Sequence, residues 1–205
     1  MTDVLYLHGF TSSPASAKIG LLRARVEPGI VLHTPDLNVP SFERLDFDAA
    51  VAHAYSVGVA AGARAIVGSS LGALMALAVV QRGLVLPLVL IAPALGFGER
   101  WRTKLPEGDP IHVFNYARNA EAPIHRAFFE RMAELDVDRD PPPVPVTAIM
   151  GTDDQSVPYD QVTRIWQQWQ PRLAPGSELI TLPGGDHGLT AYGDVIEGAL
   201  REALK

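Results

Sequence analysis

Six short apolar runs punctuate the chain, at residues 4–7, 30–33, 65–67, 86–91, 144–150 and 178–182. Polar residues do not alternate through their cores, which is the pattern of strands covered on both faces within a parallel sheet. Helix-length segments lie between them, at 15–26, 42–61, 71–81, 159–170 and 192–204. Strand and helix in alternation predict an α/β fold: βαβ units with right-handed crossovers, a mostly parallel sheet, and helices on both of its faces. One segment breaks the rhythm. Between Ala94 and Pro143 the chain runs through Trp101, Phe114, Tyr116, Phe128 and Phe129 before ending in three prolines. That is far longer than an ordinary crossover. Within it, 121–135 has helical spacing, with Ile124, Phe128 and Leu135 near one face. The segment is expected to be an insertion over one edge of the sheet, serving either as a lid or as a plain decorated crossover.

Length and composition narrow the picture. The 205 residues suit one α/β domain, 1–205, and 47% hydrophobic with 20% charged residues is ordinary for a globular chain. The net charge of -6, with no Lys/Arg block to offset it, argues against a nucleic-acid partner or an anionic membrane surface. With no cysteine, thiolate chemistry, disulfides and Cys-based metal sites fall away. The longest apolar stretch, around Leu84 to Phe97, contains two prolines and is shorter than the about 20 residues a bilayer span needs. No basic segment with a cleavage site precedes the first apolar run, so a soluble, cytoplasmic protein is expected. The histidines are scattered without a helical pair at ligand spacing, and no Gly-rich phosphate loop occurs. Neither a metal nor another cofactor is expected, and the oligomeric state is left open.

The chemistry concentrates in Gly68-Ser69-Ser70-Leu71-Gly72. It follows a buried-strand run and precedes an Ala/Leu-rich helical run, the strand-turn-helix setting of a nucleophile elbow. Glycines two before and two after the central serine let neighbouring backbone approach, so spacing selects Ser70 over Ser69. A serine hydroxyl needs a base to take its proton, and the base needs a third group to hold its tautomer. Of the histidines downstream, His187 alone lies in a Gly-rich turn after a late strand, Pro183-Gly184-Gly185-Asp186-His187-Gly188; His112 and His125 fall in the insertion. The acid should come from Gly151-Thr152-Asp153-Asp154, at the carboxyl edge where open α/β sheets build their sites. Position favours Asp154, with Asp153 shaping the turn and Asp186 too close to the histidine to face it. The backbone N–H groups of Leu71 and of Phe10, after Leu7-His8-Gly9, are the expected oxyanion donors. His8 is read as a loop-shaping residue.

With these residues in hand, the chain resembles the α/β-hydrolase superfamily along nearly its whole length, and within it the small bacterial YqiA-type esterases. The shared features are Leu5-Tyr6-Leu7-His8-Gly9-Phe10, then Ser12-Ser13-Pro14 and Ser16-Ala17-Lys18, then the elbow. Ala73 stands where that subfamily tends to carry a further glycine. The resemblance implies a compact core and carboxylester hydrolysis. The acid and histidine loops are likewise similar to those of many esterases and lipases.

The reading that follows is a serine hydrolase cleaving a small to medium ester or thioester through an acyl-enzyme. In it Ser70 is the nucleophile, His187 the base and Asp154 the orienting acid. Phe97, Trp101, Phe128, Phe129 and Met132 are candidates for an acyl pocket, or else packing residues. The same three residues could serve peptide, amide or carbon–carbon bond hydrolysis, and a hydrolase scaffold can also persist as a non-catalytic binding protein.

Overall fold

The structure is a computed structural model that describes residues 1–105 and 107–205. Among these, β1 (Thr2–Leu7), β2 (Ile30–His33), β3 (Ala65–Ser69), β4 (Leu88–Ile91), β7 (Val146–Gly151) and β8 (Glu178–Leu182) form one sheet in the order β2-β1-β3-β4-β7-β8. Every neighbouring pair is parallel. All six carboxyl ends therefore reach one rim. The inner strands β3, β4 and β7 are buried at every position, as apolar runs without polar alternation predict, while edge strand β8 is mostly wetted.

Helices cover both faces. α2 (Phe47–Ala61) and α3 (Leu71–Gln81) pack on each other and on β1 and β3, while α1 (Ala17–Val26) and α7 (Gly193–Ala203) pair on the opposite face; α6 (Tyr159–Trp169) links β7 to β8. Two helices start later than the apolar pattern suggests, because caps intervene. The Ser16 hydroxyl accepts from the Ile19 N–H at 3.4 Å, and the Asp46 carboxylate accepts from the Ala49 N–H at 2.9 Å. These caps move the starts to Ala17 and Phe47.

The segment between β4 and β7 holds α4 (Phe97–Thr103), an antiparallel hairpin of β5 (Ile111–Asn115) and β6 (Ala120–Ile124), and α5 (Arg126–Ala133). The helical spacing over 121–135 thus overreaches at both ends. Glu121 to Ile124 are strand, pairing with Phe114 to Ile111. Pro123 is the physical reason, since it pushes the residue before it into extended backbone. Only from Arg126 does the helix run, and Ile124, Phe128 and Leu135 are nevertheless all buried.

Aromatic packing holds this segment down. Phe129 meets Trp101 at 4.8 Å and Phe128 at 5.3 Å between ring centroids, and Phe10, from the loop after β1, stacks on Phe128 at 5.3 Å. Backbone bonds add to it: Ala117 N–H donates to the Thr11 carbonyl at 3.2 Å, and His125 N–H to the Glu43 carbonyl at 2.9 Å. Phe129, at 1% exposure, is the hub. Phe129→Ala is expected to cost about 3–5 kcal/mol of stability, read as a lowered denaturation midpoint in urea.

Candidate active site

Four loops leave the carboxyl ends of β1, β3, β7 and β8, and each delivers one part of the site. At the end of β3 the chain turns sharply into α3 through Ser70, whose backbone sits at φ 55, ψ -119. A non-glycine residue there is strained, and the surroundings hold it in place. Its N–H donates to the Ile91 carbonyl at 2.9 Å, and its carbonyl accepts from Ala73 and Ala94. The turn is possible because Gly72 lies against β1: a Cβ there would sit 2.2 Å from the Leu7 carbonyl oxygen. The Ser70 hydroxyl does not cap its own helix and is left at the rim, beside the positive N-terminus of α3.

His187 and Asp154 arrive from the last two strands. His187 Nδ1 lies 2.7 Å from Asp154 Oδ2, while Oδ1 accepts from the Ser156 and Val157 N–H groups at 2.8 Å each. With Nδ1 given to the carboxylate, Nε2 is the ring nitrogen left for another partner. Burial pushes the Asp154 carboxyl up, but the hydrogen bond from His187 and those from the Val157 and Ser156 backbone outweigh it. The acid is held below the usual carboxylate range. Ser70 and His187 both line a cavity of about 370 Å³. Among the described residues no hydrogen bond joins the two side chains in this resting geometry, a common state for such pairs before substrate binds.

The acid and histidine loops are tied together by backbone. Asp153 N–H donates to the Gly185 carbonyl at 3.0 Å, and Gly184 N–H to the Thr152 hydroxyl at 2.8 Å. Gly151 makes the approach possible, since a Cβ there would fall 2.1 Å from the Gly185 carbonyl oxygen. Backbone cannot yield as a flexible side chain would. Gly151→Ala should therefore part the Asp154 and His187 loops and lower kcat/KM by on the order of 100-fold, measured by ester turnover. Asp153 and Asp186 stay with their turns: Asp153 accepts from the Thr152 hydroxyl, and Asp186 from the Leu189 N–H.

On the remaining side stands the loop after β1. His8 is buried and locks it, with Nδ1 2.9 Å from the Gly9 carbonyl and Nε2 accepting from the Leu37 N–H at 3.1 Å. Burial pushes its imidazole down, against the opposing effects of the Gly9 carbonyl and Asp36. A neutral ring, protonated on Nδ1, fits both contacts. Gly9 presses against Ser70 here, a Cβ at this position falling 3.2 Å from that of Ser70. Phe10 and Leu71 line the cavity. Among the described residues neither of their N–H groups has an acceptor.

Of the residues expected to form an acyl pocket, Phe97 alone lines this cavity; Trp101, Phe128, Phe129 and Met132 pack behind it. Tyr116, from the hairpin, lines it as well. Two further wall residues, both within the opening motif, carry polar groups to which the sequence assigned no role. Lys18 Nζ donates to the Ser69 hydroxyl at 2.9 Å and to the His187 carbonyl at 3.3 Å. The Tyr6 hydroxyl is buried beside the Ser69 side chain and makes no well-formed hydrogen bond. A signal for the lysine existed: Lys18 sits one turn before Leu22, beside Ile19, on the buried stripe of α1. Among the described residues no group of three or more His, Asp or Glu is assembled to hold a metal ion.

Parallel strand ends gathered at one rim, with helices on both faces of the sheet, are the architecture of the α/β-hydrolase fold. Structural comparison agrees on the fold. Est1E from Butyrivibrio proteoclasticus, with ferulic acid bound, superimposes with a TM-score of 0.77 at 18% identity, over 100% of this chain and 90% of that one. The esterase domain of a Rhodothermus marinus protein gives 0.72 at 18% identity, over 98% and 87%. A monoacylglycerol lipase from Paleococcus ferrophilus gives 0.74 at 14% identity, over 98% and 94%. By sequence, the chain belongs to the family described as Uncharacterised protein family (UPF0227), whose model matches residues 3–199. A comparison with curated proteins finds no match. Among the described residues no helix is long and apolar enough to cross a membrane.

Proposed function

We propose that this protein is a serine esterase that cleaves small carboxylic esters or thioesters through an acyl-enzyme. The observation that carries the reading is the strained Ser70 sharing one cavity with His187, whose Nδ1 is engaged by buried Asp154. In this mechanism Nε2 of His187 takes the proton as Ser70 Oγ attacks the carbonyl, and Asp154 holds the ring in that tautomer and stabilises the imidazolium. The oxyanion forms against the Leu71 and Phe10 N–H groups, each worth about 3 kcal/mol in the transition state. His187 then returns the proton to the leaving alcohol or thiol, and water repeats the sequence to free the acid. That the fold neighbours include an esterase domain and a monoacylglycerol lipase supports ester over amide substrates.

In the same reading, the 94–143 segment covers the cavity, with Phe97 and Tyr116 as its wall. A 370 Å³ space suits a small to medium acyl group. The test is labelling with a fluorophosphonate probe and mapping of the adduct by mass spectrometry, followed by a series of p-nitrophenyl esters of rising chain length. Modification at Ser70 with turnover of the short esters is expected. An unlabelled protein inert towards the whole series would mark a non-catalytic scaffold.

A further inference from the structure

Lys18 is a cation in the cavity wall that forms no ion pair, although Asp154 and Asp186 attract it from farther away. Its side chain is largely withdrawn from solvent, and its two acceptors, the Ser69 hydroxyl and the His187 carbonyl, are neutral. Among the described residues no carboxylate lies within ion-pair distance of Nζ. Asp154 is spent on His187 and on two backbone N–H groups, and Asp186 on its own turn. An ammonium has three N–H donors, so one remains. Charges withdrawn from water are ordinarily paired, and an unmatched one facing a cavity invites an anion.

A second, independent observation lies beside it. The Tyr6 hydroxyl belongs to a residue 1% exposed, makes no well-formed hydrogen bond although the Ser69 side chain lies beside it, and lines the same cavity. A buried hydroxyl short of a good hydrogen bond favours an acceptor on the ligand. No Asp or Glu stands in the described cavity wall to repel that acceptor, although the chain as a whole carries a net charge of -6.

We propose that Lys18 and Tyr6 form a carboxylate subsite, and that the preferred substrates are esters bearing a carboxylate close to the scissile carbonyl. This rests on the esterase reading and sharpens it. The location sets the reach: Nζ touches the residue preceding Ser70 and the backbone of His187, so a carboxylate held there belongs to the group next to the reacting carbon. One ammonium N–H and one phenol match the two oxygens of a carboxylate; a phosphate would leave further oxygens unsatisfied. Burial pushes the Lys18 ammonium down to about 8, against the attraction of Asp154 and Asp186, so it remains mostly charged at neutral pH.

The experiment compares carboxylate esters with neutral isosteres by pH-stat at pH 7. Ethyl hydrogen succinate against ethyl levulinate places the charge on the acyl side; acetoxyacetate against acetoxyacetone places it on the alcohol side. The expected result is a kcat/KM ratio of about tenfold or more favouring the carboxylate in at least one pair. Lys18→Met should bring that ratio to one or below. Equal rates within both pairs for the wild type would overturn the subsite, as would a ratio that survives Lys18→Met. The wild-type comparison needs no variant to fold. Fluorophosphonate labelling separates the two levels of inference. If Ser70 labels and the neutral esters turn over as fast as the charged ones, only the subsite falls. If nothing labels and no ester reacts, the esterase reading itself has failed.

Discussion

Ser70→Ala is expected to lower kcat on a short p-nitrophenyl ester by at least ~10⁴-fold, equivalent to about 5 kcal/mol of barrier, while leaving the fold intact. The size follows from losing the nucleophile outright, so that what remains is water attack aided by the oxyanion donors and binding. The intact fold follows from the geometry. The Ser70 hydroxyl caps nothing in α3, and its strained backbone is held by bonds through its own N–H and carbonyl, which alanine keeps. Steady-state hydrolysis paired with circular dichroism tests both halves. A folded variant keeping more than a hundredth of wild-type activity would remove Ser70 from the role.

Asp154→Asn is the second large effect, an expected loss of on the order of 10³–10⁴-fold in kcat. Asparagine can still accept from the Ser156 and Val157 N–H groups through its oxygen. Its amide then turns donor hydrogens toward His187 Nδ1, which favours the tautomer with the proton on Nε2, where it cannot take one from Ser70. The substitution also changes acid stability, with a definite sign. Because the Asp154 carboxyl is held below its ordinary range in the folded state, the stabilisation is present above the ordinary carboxylate range and lost as pH falls through the folded value. The wild type should therefore lose stability on acidification more steeply than Asp154→Asn. Urea midpoints between neutral and acid pH would show it.

The two variants bear on different links of the argument. Ser70→Ala tests the identity of the nucleophile, and Asp154→Asn tests whether the 2.7 Å contact to His187 orients the base. Gly151→Ala tests a third, the backbone contact that carries those loops into register. A protein in which all three changes left turnover untouched would be using this rim for something other than hydrolysis.

How far the chain could be read without coordinates varied with the origin of each signal. Strands β3, β4 and β7 were plain because an inner parallel strand is covered on both faces, so theirs carry no polar alternation and only Ser69 and Thr147 as polar side chains. The elbow was plain because a tight strand-to-helix turn demands small residues at fixed offsets from the serine. The β5–β6 hairpin was missed. Its apolar residues fall at spacings that a short helix also satisfies, and Pro123 was the one local clue against it. The acyl-pocket candidates were aromatic residues in the right segment, but an aromatic side chain packs equally well behind a cavity wall as in it. Only Phe97 faces the space, and that choice is set by how α4 and α5 pack around Trp101 and Phe129.

Local pattern and spacing alone determined the α/β class, the order of the elements outside 94–143, the turn that exposes Ser70, and the short list of partners for it. Each is written within a few consecutive residues, or in a periodicity that backbone geometry imposes. Tertiary structure alone decided which groups share the cavity. Lys18 lies in the first helix, Tyr6 in the first strand and His187 near the end of the chain, and nothing local links them. Parallel pairing of β1, β3, β7 and β8 carries their loops to one rim, and the register of those strands, not the order of residues, brings a lysine to the Ser69 hydroxyl and the His187 backbone carbonyl.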